Sequence, residues 1–417
     1  MNILFVHQNM PGQYRELLMW LVAQGGHRIV FLTQRQDAPR INGVLTRTYK
    51  PHHSPDAKAY GLSKVWEEAT GAGFGAAMAA RDLEQSEGFR PDLILGHTGW
   101  GELLFMKQIW PDVPILGFFE YFYNATGGLV GFDPAEPVSD HMPFLMEARN
   151  AVPYANIHKV DLGHVPTVWQ KNTFPDAFHP KFYTCHDGIR TDRLGPDPEV
   201  SLTLGRLERP ITRQDEVFTY LARNLEHARG FHIFMAALPR ILAARPNARV
   251  LVVGGDDVSY GRKSKHPQGL RAELTEALGD SVDWNRVHFL GRVPYSSFCQ
   301  VVQISRCHLH LTMPFVMSWS LLESMAMQAT IVASDVPSVR EAVTHGKTGL
   351  LVDFFDPQAL ADQVIDVLAN PGAYAHLGPA ARAHVVETYD FTTRCLPEHI
   401  RQMNALVPAH LRIAVPG

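Results

Sequence analysis

Two arginines, Arg223 and Arg229, flank a short loop between a strand-like run ending at Ala222 and a helix-like run beginning near Gly230. Planar guanidinium forks match phosphate oxygens, so the pair could clamp a diphosphate, although two solvated surface arginines would look the same at this level. Thr312 to Ala326 reads as a strand end, an irregular loop and a helix starting close to Ser320. The open amides and positive dipole end of such a helix suit a phosphate. Glu323, read in the first turn of that helix, could accept hydrogen bonds from ribose hydroxyls or merely complement the dipole. Val252 to Asp257 runs a strand into a Gly pair, which a turn needs on conformational grounds alone. In the first half, His97 ends an apolar strand. It could donate to a sugar hydroxyl and steady developing charge, or simply hold a strand-to-loop turn. Glu120 lies in the aromatic run Phe118 to Asn124, whose rings could stack on a sugar or fill the core. Asp161 and the run Pro166 to Gln170 read as structural support.

No metal or cofactor is called for. Asp256 and Asp257 are adjacent rather than spaced as Asp-x-Asp, and the four cysteines (Cys185, Cys299, Cys307, Cys395) lack metal-ligand spacing. Asn9 to Gly12 is not a G-x-G-x-x-G turn, which argues against a dehydrogenase.

These residues need elements to hold them. Short runs that are apolar on both faces alternate with helical patterns along the chain, which predicts parallel sheets covered by helices. Strands are expected at Asn2–His7, Arg28–Thr33, Leu93–Gly96, Ile115–Phe119 and Phe182–Cys185, with a helix over Tyr14–Ala23. After the Gly-, Pro-, Asp- and Arg-rich stretch Asp187–Asp215, strands are expected at Glu216–Ala222, Arg249–Val253, Val287–Leu290, His308–Thr312, Thr330–Ala333 and Gly349–Val352. Helices fall between them, at Gly230–Ala244, Gly269–Leu278, Ser320–Met327 and Pro357–Leu368. The division is therefore a first domain over 1–190, a connection over 191–215, a second domain over 216–390, and a helical tail over 391–417 able to pack on either half.

The composition, 46% hydrophobic and 19% charged over 417 residues, is that of a globular chain. A formal net charge of −4 speaks against a nucleic-acid partner. With no apolar run long enough to span a bilayer and no leader-like start, the expected location is cytoplasmic, leaving room for peripheral contact with the inner face of a membrane. Lys50, His52, His53, Lys58 and Lys64 could form a basic face for an anionic acceptor or a plain solvated surface.

Taken in order, His186-Asp-Gly-Ile-Arg190, Arg223 with Arg229-Gly230, Leu321-Leu-Glu-Ser-Met-Ala326, Ile331-Val-Ala-Ser-Asp335 and His345-Gly-Lys-Thr-Gly-Leu-Leu-Val352 resemble the retaining glycosyltransferases of family 4. The match runs from about Asn2 to Asp390. The resemblance implies the GT-B architecture, two Rossmann-like domains with parallel sheets facing a central cleft. It implies a UDP- or GDP-sugar donor, a glycan or lipid-linked acceptor, and hexose transfer in surface polysaccharide assembly. Arg223 matches the family's diphosphate arginine, and Arg229 stands where a lysine is usual. Glu323 matches the second glutamate of the E-x7-E motif, which holds the ribose. Ser318, Trp319 and Ser320 lie in the segment whose amides reach the donor. Gly12 belongs to the turn after the first strand, and His97 matches a histidine near the reacting centre. Glu120 is the second candidate there. Two departures stand out: Phe315 occupies the place of the first motif glutamate, and Met317-Ser-Trp319 replaces a glycine-rich loop. The rival readings are a non-catalytic nucleotide-sugar-binding protein, an inverting GT-B enzyme and a GT-B nucleotide-sugar epimerase.

Overall fold

A computed structural model of the chain, which describes residues 1–135, 138–205, 207–260 and 263–416, separates into two compact units. One is Met1–Gly188 together with the segment from Phe391 onward, and the other is Ile189–Asp390.

The first unit is built on seven strands: β1 (Asn2–Val6), β2 (Arg28–Thr33), β3 (Val44–Thr48), β4 (Leu93–His97), β5 (Ile115–Phe118), β6 (Leu162–Val165) and β7 (Phe182–Thr184). All neighbours are parallel, in the order β3-β2-β1-β4-β5-β6-β7. The strands are covered on both faces because alternate side chains point to opposite sides. Ile3 and Phe5 join a core with Leu17, Leu18 and Leu21 of the helix Arg15–Gln24 and with Leu396, Ile400 and Met403 of the helix Leu396–Leu406. Leu4 and Val6 join the opposite core with Ala76, Ala80 and Leu83 of the helix Lys64–Glu87. The C-terminal segment, which the sequence could place on either half, therefore belongs to the first unit.

In the second unit the stretch read as a connection carries β8 (Ser201–Leu202) and β9 (Ile211–Thr212), which pair antiparallel. The main sheet then comprises β10 (Val217–Asn224), β11 (Arg249–Gly255), β12 (Val287–Gly291), β13 (Cys307–His310), β14 (Ile331–Ser334) and β15 (Leu350–Val352), parallel in the order β12-β11-β10-β13-β14-β15. The helices Phe231–Ala244 and Pro357–Ala369 pack on each other, as do Trp319–Ala326 and Leu377–Tyr389.

In both parallel sheets the strand order reverses direction beside the first strand of the sheet, between β1 and β4 and between β10 and β13. Connections diverge there, and the crevice at the carboxyl ends of the two strands is where such sheets take ligands.

Several elements have no counterpart in the sequence expectations, among them β3, β6 and the helix Lys64–Glu87. The strand β3 is half-exposed with alternating polar residues, and β6 (Leu-Gly-His-Val) contains only two aliphatic residues. The helix Lys64–Glu87 buries Ala69, Ala72, Gly73, Ala76, Ala77 and Ala80, so its inner face is too small-chained for a hydrophobic stripe. Those small residues let another segment lie against the helix. A Cβ on Gly71 would stand 2.1 Å from the His53 carbonyl oxygen, and one on Gly75 would stand 2.2 Å from that of Lys50. Gly75→Ala must move backbone, so it is expected to cost about 2–4 kcal/mol, read as a lowered midpoint of denaturant unfolding with an unchanged m-value.

Candidate functional site

At the switch point of the first sheet, the chain leaves β1 through His7 and ends β4 at His97; both residues are 2% exposed. Their rings meet edge to face at 5.3 Å, and His97 stacks on Trp100 at 3.8 Å. Backbone amides fix both tautomers. The Asn9 N–H donates to His7 Nδ1 at 2.8 Å and the Gly99 N–H donates to His97 Nδ1 at 2.9 Å, so each neutral ring carries its proton on Nε2. His7 Nε2 donates to Gln13 Oε1 at 2.7 Å, which turns the Gln13 amide so that its Nε2 donates to Glu120 Oε1 at 3.2 Å.

The other oxygen, Glu120 Oε2, stands 3.6 Å from His97 Nε2, within ion-pair range but beyond a hydrogen bond. Among the described residues the buried His97 Nε2 has no hydrogen-bond partner. It is a buried N–H donor held beside a carboxylate. Glu120, whose side chain is 30% exposed, is also held through its backbone: the buried Gln170 donates from Nε2 to the Glu120 carbonyl at 2.7 Å. Gly12 has φ +53°, and a Cβ there would stand 2.8 Å from His7 Nε2. The turn thus needs glycine both for its backbone and to leave room for the ring.

Sequence reasoning placed His97, Glu120 and Gly12 here but missed His7 and Gln13. Their signal was present in position, since His7 follows directly on the first strand and Gln13 follows Gly12. Asp161 and Thr167 act structurally: Asp161 Oδ2 accepts from the Ile115 amide at 2.8 Å and from Lys107 Nζ at 2.9 Å, and Thr167 caps the helix Val168–Lys171. Of the basic set, Lys50, Lys58 and Lys64 are exposed, His53 pairs with Glu67, and the His52 ring lies against Phe74.

At the switch point of the second sheet, Arg223 near the end of β10 is exposed and, among the described residues, has no hydrogen bond or ion pair. Arg229, in the turn before the helix Phe231–Ala244, is drawn inward. Its Nη1 donates to Thr312 Oγ1 at 2.9 Å and its guanidinium lies 5.7 Å from the Tyr260 ring centre. Burial pulls its pKa down, and the positive charge of Arg223 adds to that effect. The two cations are thus electrostatic neighbours, one accessible and one anchored.

The loop after β11 is fastened beside them. Glu226, 1% exposed, accepts from the Ser259 and Tyr260 amides at 2.6 and 2.9 Å. Asn224 donates to Ser259 Oγ at 2.8 Å and accepts from Arg292 Nη2 at 2.9 Å. Phe315, which the resemblance sets against the first motif glutamate, is 4% exposed and meets the Tyr260 ring at 4.8 Å. Neither Glu226 nor Tyr260 was singled out from sequence. A glutamate in a strand-to-helix loop has no pattern that separates a buried anchor from a solvated one.

The helix after β13 begins at Trp319, one residue earlier than expected, and runs to Ala326. Glu323 therefore lies in the second turn rather than the first, and its Oε1 accepts from the Tyr295 hydroxyl at 2.7 Å. Ser318 precedes the helix in extended conformation without capping an amide by its side chain; its Oγ pairs with Ser320 Oγ at 2.8 Å. Trp319 is 43% exposed. Among the described residues no group of three or more His, Cys, Asp or Glu is placed to hold a metal ion, and no helix is long and apolar enough to cross a membrane.

Two measurements follow from this geometry. Burial, reinforced by the neighbouring His97, pushes His7 down to about 3, against an ordinary value of 6.5. Below pH 6.5 the unfolded chain takes up a proton that the folded chain refuses, so stability falls with acidity by about 1.4 kcal/mol per pH unit for this group. His7→Gln should remove one proton's worth of that slope between pH 6 and 4, read from unfolding midpoints across pH. Separately, Glu226→Ala strips two amides of a charged acceptor and should cost about 2–4 kcal/mol, while Glu226→Gln keeps an acceptor oxygen and should cost less.

Residues 25–194 match the family model described as Glycosyl transferase family 4 group, and residues 206–384 match Glycosyl transferases group 1. Among curated proteins the chain is 28% identical over 211 residues to the phosphatidyl-myo-inositol mannosyltransferase of Mycolicibacterium smegmatis, covering 49% of each. It is 30% identical over 220 residues to the D-inositol 3-phosphate glycosyltransferase of Streptomyces scabiei, covering 51% of this chain and 46% of the other. The chain spans about half the length of the curated relatives it matches.

Among solved structures it is similar to sucrose-phosphate synthase from Thermosynechococcus elongatus, with a TM-score of 0.68 at 18% identity over 97% of this chain and 99% of that one. It is also similar to the Anabaena protein HepE in complex with UDP, with a TM-score of 0.67 at 15% identity over 97% and 100%. At such identities the likeness is one of fold. With family models matching within both parallel-sheet units and a fold shared over nearly the whole length, the chain belongs to glycosyltransferase family 4 and has the GT-B fold.

Proposed function

We propose that this protein is a retaining glycosyltransferase. It takes a hexose from a UDP- or GDP-sugar and passes it to a hydroxyl of a glycan or lipid-linked acceptor in surface polysaccharide assembly, at the cytoplasmic side of the membrane. The observation that carries the reading is the exposed Arg223, without a hydrogen bond or ion pair among the described residues, next to the anchored Arg229 at the switch point of the second sheet. Two neighbouring guanidinium groups at the carboxyl end of a parallel sheet suit a diphosphate.

In this reading the second unit holds the donor. Arg223 and Arg229 take the diphosphate, the open amides at Ser318, Trp319 and Ser320 add donors, and Glu323 holds the ribose by exchanging its Tyr295 contact for sugar hydroxyls. The leaving diphosphate is stabilised by these fixed cations and amides, with no metal ion required. In this reading the first unit supplies His97, whose buried Nε2–H lacks an acceptor among the described residues and would donate to a sugar oxygen, and Glu120, which would stabilise positive charge developing on that ring or sugar. Support comes from relatives: GDP-mannose appears in the name of a Corynebacterium glutamicum mannosyltransferase that is 26% identical over 224 residues, and HepE was solved with UDP.

The alternative with an observation behind it is a nucleotide-sugar-binding protein without turnover. It is favoured by Phe315, which offers a ring where the family motif offers a carboxylate.

Thermal shift against UDP, GDP and ADP and their sugars separates these. A ligand at 100 times its Kd stabilises the native state by about 2.7 kcal/mol. Arg223→Ala should abolish that shift and lower donor turnover by about 100-fold or more, with the ligand-free midpoint unchanged. Wild-type turnover should persist in excess EDTA. Unaltered kinetics in Arg223→Ala would remove this residue from the clamp, and binding without hydrolysis or transfer for any donor would favour the alternative.

A further inference from the structure

A second cluster of reactive side chains lies in the first unit, away from His97 and Glu120 in sequence and built mostly from β7 and the C-terminal segment. Cys185 follows β7, and its Sγ stands 3.5 Å from the His186 carbonyl oxygen, 3.8 Å from the Cys395 carbonyl oxygen and 3.9 Å from His399 Nε2. The Cys185 sulfur thus lies against the Cys395 backbone, and a side-chain hydrogen bond from Cys395 is the strongest influence on its thiol. Cys185 is partly exposed, whereas Cys395 is buried at the start of the helix Leu396–Leu406.

His399 is buried in that helix and oriented from three sides. The Tyr183 hydroxyl pairs with its Nδ1 at 3.2 Å, the His186 carbonyl lies 3.1 Å from its Nε2, and the His164 ring sits edge-on at 4.9 Å. The charged groups around it are Asp187, which favours its protonated form, and Glu398 on its own helix. His164 and His186 are both kept neutral, chiefly by burial. A crevice of about 20 Å³, room for one water-sized molecule, reaches His399, Tyr183 and Asp187.

The hydrogen bond from Cys395 and the neighbouring imidazole outweigh burial and bring the Cys185 thiol down to about 5. Burial alone would lower His399, yet the adjacent sulfur and Asp187 hold it above its ordinary value. Both shifts favour a thiolate beside an imidazolium, the arrangement that makes a cysteine nucleophilic. The remaining cysteines are the reverse: Cys299 and the fully buried Cys307 are both pushed up by desolvation.

We propose that Cys185 is an oxidation site which, on meeting a hydroperoxide, closes a disulfide with Cys395 and so fastens the C-terminal segment covalently to the end of β7. The Cys185 thiolate attacks one peroxide oxygen; the O–O bond breaks, an S–O bond forms, and the departing hydroxide takes the His399 proton to become water. The Cys395 sulfur then attacks the sulfenic sulfur. The S–S bond forms, the S–O bond breaks, and the second hydroxide leaves as water with the Cys395 proton, relayed by the now neutral imidazole. Each sulfur gives up one electron, and the peroxide takes both.

This proposal does not rest on the glycosyltransferase reading. The test is peptide mapping of the full-length protein under non-reducing conditions after brief exposure to a few equivalents of hydrogen peroxide. The expected product is a Cys185–Cys395 linked peptide two hydrogens lighter than the separate thiols and released by dithiothreitol, with Cys299 and Cys307 still alkylatable. In Cys395→Ser the reaction should halt at a Cys185 sulfenic acid captured by dimedone, and Cys185→Ser should leave Cys395 reduced. His399→Gln, checked by its melting midpoint, should slow oxidation at pH 7 by on the order of 10-fold as the thiolate fraction falls. First oxidation at Cys299 or Cys307, or modified Cys185 without linkage to Cys395, would overturn the proposal.

Discussion

The reversal of strand order in a parallel sheet governs where this protein can do chemistry. Between β1 and β4, and again between β10 and β13, successive connections leave in opposite directions, and the carboxyl ends of two adjacent strands stand open. His7 and His97 sit at the first opening, and Arg223 and Thr312 near the second. Every other feature of the two sites serves to stiffen what those strand ends present.

The stiffening is done by different means in the two units. In the first, backbone amides two residues downstream set both histidine tautomers, so a chain of donors runs in one direction from His7 through Gln13 to Glu120. Burial keeps His7 neutral, which holds that direction at any pH near neutrality. In the second, one buried carboxylate, Glu226, gathers the amides of the loop that carries Tyr260, and the ring of Tyr260 in turn meets both Arg229 and Phe315. Phe315 is therefore packed against an aromatic partner rather than left beside a gap. A ring pair offers dispersion and flat faces, where a carboxylate would offer a charged acceptor.

The C-terminal segment has a role beyond covering the sheet. Its helix contributes Leu396, Ile400 and Met403 to the core of the first unit and sets His399 and Cys395 against Cys185. Groups more than two hundred positions apart in sequence thus come together where a thiol, an imidazole and a carboxylate influence one another's protonation.

By itself, the amino-acid sequence determined the alternation of buried strands and helices, hence two parallel-sheet units, because strands buried on both faces read as continuous apolar runs. It also determined which polar residues stand at strand ends, since His97, Glu120, Arg223 and Arg229 each terminate or follow such a run. What periodicity could not carry was any element or contact whose signal is small, polar or distant. The helix Lys64–Glu87 packs through Ala and Gly, which have little hydrophobic contrast. Glu323 fell in the second helical turn because the helix starts at Trp319, and a one-residue shift at a helix end is invisible in a pattern. The sharing of Glu120 between Gln13 and His97, the burial of Arg229 beside an exposed Arg223, and the meeting of Cys185 with His399 were decided only by tertiary packing. Which of two like side chains is desolvated, and which is left facing water, depends on neighbours the chain brings from elsewhere.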